Sequence, residues 1–180
     1  MAAREAVKLG IVLERRKSES PWQDHAWRAV AAVAEAPELP EWRELARGPG
    51  WQRFYCGAHE VELHSRETPN YRENLMSERP AVYIVLRPPA AGPNPIDIAL
   101  VTLSAQEASA CGEGDGCAVD SVPIPARVRA WADAFVARHH VEEVFVKRKR
   151  KRYDPDQADL GRAPTGGRFS DTGRRGRRDG

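Results

Sequence analysis

The sequence has no apolar run long enough to cross a membrane as a helix; nowhere do roughly eighteen apolar residues follow one another without interruption. An N-terminal apolar signal core is missing as well. Instead Val7, Leu9, Ile11 and Leu13 alternate with polar or small residues and read as a strand, so no secretory signal is expected and the cytoplasm is the expected location. Cysteine is scarce and odd in number, three in 180 residues, which argues against a disulfide framework. Cys111 and Cys117 flank an acidic glycine loop, and no second Cys or His pair stands at finger spacing, so no metal site is expected. A Gly-x-Ser-x-Gly elbow, an HExxH run and internal repeats are all absent. Glu60, Glu62 and Glu67 supply carboxylates, but nothing in the sequence pairs them for acid–base work.

What is present is a polar chain, 30% charged with a mean hydropathy of −0.60. Its net charge of +2 hides a split. From Lys147 onward 12 basic residues stand against 5 acidic ones, a net +7, which leaves the preceding part of the chain at −5. The boundary suggests a folded domain over 1–146 and a basic, Arg/Gly-rich tail over 147–180 that buries too little apolar surface to order by itself.

Within the folded part, Val7 to Arg16 and Trp27 to Val33 read as strands, followed by a turn-rich connection in which Trp42 and Leu45 suggest a short strand. Trp51 to Ser65 reads as two strands with a bend or turn at Gly57-Ala58, ended by Thr68-Pro69-Asn70; Tyr71 to Ser77 reads as a helical turn or loop. Ala81 to Leu86 is apolar on both faces, as in a covered central strand. Ile96 to Leu103 and Ala118 to Val122 are further strands, and Ser104 can cap a helix over Ala105 to Ala110. Pro125 opens the clearest helix, with Val128, Trp131, Ala132, Phe135 and Val136 at helical spacing and a continuation expected through Val141, Val144 and Phe145. The expected class is α+β: seven or eight mostly antiparallel strands, as a sandwich or open barrel, with a packed C-terminal helix.

Two tryptophans, Trp22 and Trp27, bracket Gln23, Asp24 and His25, and read either as aromatic anchors of a recognition loop or as core side chains beside a turn. Tyr71, Arg72 and Asn74 lie between strand regions, where an arginine can grip a carboxylate or phosphate, or where the same side chains satisfy local backbone. With Arg15, Arg16 and Arg87 they form the candidate set for a small anion or a peptide. His59 and His64 fall on opposite strand faces, and His139 and His140 suit a helix end. Lys147, Arg148, Lys149, Arg150, Lys151 and Arg152 form an unbroken cationic run that binds phosphate polymers weakly and with steep salt dependence, or steers the chain to an acidic protein.

One further pattern spans the chain. It comprises Gly10 through Arg16, Pro21-Trp22, Trp27-Arg28, Glu67-Thr68, Tyr71 through Leu75 with Ser77, Pro80 through Arg87, Val122 through Pro125, Phe135-Val136, His139-His140 and Lys147-Arg148. Together these resemble a proteobacterial domain family of unknown function associated with gene clusters for molybdenum- or tungsten-dependent formate dehydrogenases. Some members carry the label "molybdopterin-guanine dinucleotide biosynthesis protein A". The resemblance implies a setting in formate dehydrogenase or molybdenum cofactor maturation, with a dehydrogenase subunit or a sibling maturation factor as partner. It does not bring a nucleotidyl-transfer motif, because the first strand runs into Glu14-Arg15-Arg16-Lys17 with no glycine-rich phosphate loop. A non-enzymatic accessory protein that binds the apo-enzyme, a sibling maturation factor or the molybdopterin cofactor is the expected function; no motif in the sequence supports the cofactor binding, and no cofactor is assigned. The alternatives are a nucleic-acid-binding or regulatory protein acting through the tail, and a cofactor-modifying enzyme of the molybdopterin pathway built around Arg15, Arg72 and Asn74.

Overall fold

Alternation along the first strand sets the architecture. The structure, a computed structural model, describes residues 3–19, 24–90, 92–114 and 116–141. The chain divides into a unit Met1–Glu142 and a unit Glu143–Gly180. The description below concerns the first unit; the tail expected over 147–180 and its boundary lie outside the described residues. In β1 (Arg4–Lys17), Leu9, Ile11 and Leu13 point one way and are fully buried. β1 pairs antiparallel with both β2 (His25–Ala34) and β4 (Trp51–His64), and β3 (Arg43–Gly48) adds to the free side of β4, giving the order β2-β1-β4-β3. A second antiparallel sheet, ordered β6-β5-β7, is built from β5 (Ala81–Arg87), β6 (Asp97–Thr102) and β7 (Ala118–Pro123). β5 is its centre, as its two-faced apolar sequence requires.

Among the described residues seven antiparallel strands and three α-helices make an α+β fold. One core lies between the sheets. Leu9, Ile11, Leu13, Val61 and Leu63 meet Val82, Ile84, Leu86, Val101 and Val122 there. α1 (Thr68–Met76) contributes Tyr71 and Leu75, and α3 (Ala126–His139) contributes Val128, Ala132 and Phe135 at i, i+4, i+7. α2 (Ala105–Cys111) starts as expected at Ser104, whose hydroxyl accepts from the Glu107 N–H at 3.1 Å.

Four expectations are corrected. Trp51 to Ser65 is one long strand, not two, because Gly57 is a bulge and not a turn. Its φ of 94° places the extra residue outside the ladder, and the pairing resumes from Val12↔Tyr55 to Gly10↔Ala58. Thr68-Pro69-Asn70 opens a helix where a break was expected, since a proline in the first turn removes no internal hydrogen bond. α3 stops at His139: His140 turns extended (ψ 124°) and Val141 is exposed, while Val144 and Phe145 lie outside the described residues. Trp42 falls just before β3, at φ 60°, so that only Leu45 of the expected pair is in the strand.

Strand length positions the candidate site. β1 and β4 have 14 residues each and the strands of the second sheet six or seven. At about 3.3 Å per residue the long strands run roughly twice as far as the short ones. One end of the first sheet therefore projects past its cover.

Candidate functional site

The projecting end carries a pocket of about 540 Å³ lined by Arg15, Lys17, Asp24, His25, Arg47, Gly48, Gly50, Trp51 and Gln52, every one of them from the first sheet and its turns. Register explains the grouping. Arg15 stands opposite both Trp27 and Gln52, Lys17 opposite His25, and Arg47 opposite Gln52. Paired residues share a face, and Arg15 and Lys17 continue the face that Leu9, Ile11 and Leu13 bury farther along. The apolar stripe of β1 thus becomes a cationic one where the second sheet ends.

The cations are held in different ways. Arg15 donates through Nη2 to Gln52 Oε1, and its guanidinium lies 5.9 Å from the Trp27 ring and 5.8 Å from the Phe54 ring, within cation–π range. Those rings belong to an aromatic cluster that includes Trp42, edge-on to Trp27 at 5.6 Å, so the arginine rests on a packed support. Gln52 Nε2 donates to Glu44 at 3.2 Å, and Arg47 grips the same carboxylate with two nitrogens, Nη2 at 2.7 Å. The hydrogen bond from Arg47 holds the Glu44 carboxyl below its ordinary range despite partial desolvation, with a smaller contribution from Arg15. Glu44 is therefore anionic at neutral pH. Lys17 has no carboxylate partner among the described residues, and its backbone N–H donates to Gly50 O at 3.0 Å. Three cations (Arg15, Lys17, Arg47) against two carboxylates (Asp24, Glu44) leave the pocket one net positive charge.

The other candidates are dispersed. Arg16 is on the opposite face of β1, bound with Arg53 to Glu14 at 2.5 and 2.8 Å. Glu14 is only 1% exposed, yet its cover is these two half-exposed arginines, so the burial is shallow. The Arg16 hydrogen bond, opposed by desolvation and aided by Arg53, holds its carboxyl below 4.5. Asn74 serves the fold: Nδ2 donates to Ala81 O and Leu103 O, both at 2.8 Å, and Oδ1 accepts from Ala81 N at 3.0 Å. This pins the start of β5 beside the end of β6. Tyr71 is fully buried, its oxygen accepting from His64 N at 3.3 Å, and burial pushes its phenol up to about 12. Arg72 is exposed on α1 and Arg87 is exposed at the end of β5 in the other sheet. Among the described candidates Arg15 and Trp27 come together at the pocket, while Tyr71, Arg72 and Asn74 share α1. Trp22 and Lys147 through Arg152 lie outside the described residues. His25 belongs to the loop read as a possible recognition loop, whereas Lys17, Arg47 and Gln52 were missed. The signal for them was the continued alternation past Leu13 and the Pro49-Gly50 pair, which closes a two-residue hairpin with Gly50 at φ 75° and so sets Arg47 opposite Gln52.

Elsewhere the reactive side chains are structural or scattered. Burial pushes the Cys56 thiol up to about 12, far from a neutral-pH nucleophile. His59 Nε2 lies 3.2 Å from Cys56 O, and His64 Nε2 lies 3.1 Å from Glu62. Among the described residues no group of three His, Cys, Asp or Glu is placed to hold a metal ion, and no helix is long and apolar enough to cross a membrane.

The pocket is thus a small cationic site with aromatic support on a two-sheet α+β scaffold. No curated protein and no solved structure matches the chain. Residues 8–151 match the family described as "Protein of unknown function (DUF3305)", and the chain belongs to that family.

Proposed function

We propose that this protein is a non-enzymatic accessory factor that recognises an acidic partner with the pocket at the projecting end of its first sheet. The carrying observation is Arg15, seated on Trp27 and Phe54 and oriented by Gln52, beside a lysine with no carboxylate partner among the described residues. A side chain already held in one geometry loses less entropy on binding. The setting, maturation of a formate dehydrogenase or its molybdenum cofactor, rests on the family resemblance of the sequence. The partner is then a dehydrogenase subunit or a sibling maturation factor, and no cofactor is assigned to this chain. Arg15 lines this pocket, whereas Asn74 is bonded to the backbone of Ala81 and Leu103, so the reading is built on Arg15 and not on Asn74.

The test is affinity capture with tagged full-length protein from cells making formate dehydrogenase, compared with an Arg15→Gln/Lys17→Gln variant. Wild type should bring down the dehydrogenase or a maturation protein, and the variant should lose it. Equal capture by both, or unchanged dehydrogenase activity and cofactor loading after gene deletion, sinks the reading. The second reading, nucleic-acid binding, rests on the Lys147 to Arg152 run. It requires sequence-preferring binding at physiological salt that disappears when those six residues are changed to glutamine; weak binding that salt abolishes counts against it.

A further inference from the structure

We infer that the group recognised in this pocket is a carboxylate, presented by an acidic, extended segment of the partner protein, and that Arg15 is the residue that selects it. The inference rests on the reading of the pocket as the partner site and names its ligand chemistry.

Charge is the first reason. With one net positive charge the pocket balances a monoanion. A phosphate dianion or pyrophosphate would instead be drawn in beside Asp24 and Glu44, whose repulsion offsets much of the attraction from the three cations. Backbone donors are the second. Phosphate sites of small domains are commonly cradled by successive N–H groups of a glycine turn. Here the glycine turn is tied into the sheet, Gly50 O accepting the N–H of Lys17 at 3.0 Å, and the cations of the pocket are side chains. The third is the arginine itself. Only one of its five donors is engaged by protein among the described residues, at Gln52. Its plane is steadied by the Trp27 and Phe54 rings, which leaves a planar fork of the kind that pairs bidentately with a planar carboxylate. Lys17, two residues along on the same face and therefore roughly 7 Å away, supplies a second charge from the side. The site is open and one-sided, built on a sheet surface, which suits a segment laid across it.

The experiment titrates full-length protein, by calorimetry and by the ¹⁵N signals of the Arg15 Nε and Gln52 amide, with four probes. These are a blocked Gly-Glu-Gly-Glu-Gly peptide, its Gln counterpart, glutarate and inorganic pyrophosphate. The glutamate peptide should bind with a Kd of about 1 mM or tighter at low salt, shifting both side-chain signals, and weaken as salt screens it. The Gln peptide should bind at least about tenfold more weakly, and Arg15→Gln should lose the same factor. Arg15→Lys, which keeps the charge and loses the fork, should fall between. Arg127→Gln, on α3 and ion-paired with Glu35 outside this pocket, should bind like wild type. Melting temperatures of all variants separate loss of fold from loss of site. Tighter binding of pyrophosphate than of the glutamate peptide, equal binding of the Glu and Gln peptides, or wild-type affinity in Arg15→Gln overturns the carboxylate assignment. Glutarate matching the peptide overturns the protein source in favour of a small molecule. Should the peptide bind as expected while capture from cells fails, the carboxylate specificity stands and the partner assignment falls. Capture that depends on Arg15 together with a pyrophosphate preference does the reverse.

Discussion

The two ends of β1 carry the same kind of residue and treat it oppositely. Glu5 and Arg15 both point to the inner face, opposite Leu63 and Gln52 respectively. Glu5 is half-buried and partnered by α3, accepting from Trp131 Nε1 at 3.0 Å and Arg138 Nη2 at 2.8 Å. Arg15 has a glutamine and two aromatic rings, and among the described residues its pocket is lined by the first sheet and its turns. The lesson is that a charged residue on a core-facing stripe is structural where a helix brings it partners and available where the cover runs out. Strand length decides which, and here the strands of the second sheet are about half as long as β1 and β4.

The sharpest test of that contrast lies at the covered end and in the core. Phe135→Ala empties a fully buried position and should lower stability by about 3–5 kcal/mol in urea denaturation. Asn74→Ala leaves three backbone groups of Ala81 and Leu103 without their partner and should cost roughly 3 kcal/mol; a loss under about 1 kcal/mol shows the pin to be dispensable. On the outer face, Glu14→Gln should cost about 1 kcal/mol at pH 7, the low end for charge-assisted bonds because both arginines are half exposed. Pairing lowers the folded value of Glu14 below its ordinary 4.5. Its contribution is therefore complete above that value and is lost as pH falls through the lower folded one. Urea curves of wild type and Glu14→Gln should differ at pH 7 and converge at strongly acid pH; a gap that persists there contradicts the ion-pair account. The smallest effect belongs to the open end. Arg15→Gln should change stability by less than about 1 kcal/mol, the scale of an exposed cation–π pair, while removing binding. If it unfolds the protein as Phe135→Ala does, the projecting end is part of the core and the contrast between the two ends of β1 collapses.

Much of the scaffold was readable because its cues are local. Leu9, Ile11 and Leu13 alternate, Ala81 to Leu86 is apolar throughout, Ser104 precedes Glu107 by three residues, and Val128, Ala132 and Phe135 repeat at helical spacing. Each pattern depends on neighbours within one or two turns. Gly57 was misread because a glycine makes a turn or a bulge by the same freedom of φ. What separates the two is whether β1, more than forty residues earlier in the chain, continues to pair past it. Pro69 was ambiguous likewise, since a proline ends a strand and begins a helix equally well. The candidate site was legible only at Arg15 and Trp27. Tyr71 and Asn74 stood out as polar residues in a connection, yet α1 folds their side chains inward.

By itself the sequence determined the inward stripe of β1, the Ser104 cap of α2, the covered character of β5 and the placement of Arg15 and Lys17 on the inward face of β1. Those follow from side-chain periodicity and from the φ and hydrogen-bond limits of proline, glycine and serine. Only the tertiary structure decided which inward positions are sealed. It set Arg47 and Gln52 beside Arg15 by pairing β3 and β4, and turned Asn74 into a backbone anchor. It also left one end of the first sheet uncovered by the second among the described residues. The physical reason is that burial and charge pairing depend on what packs opposite, and contacts between residues distant in the chain are not written in the spacing of either segment.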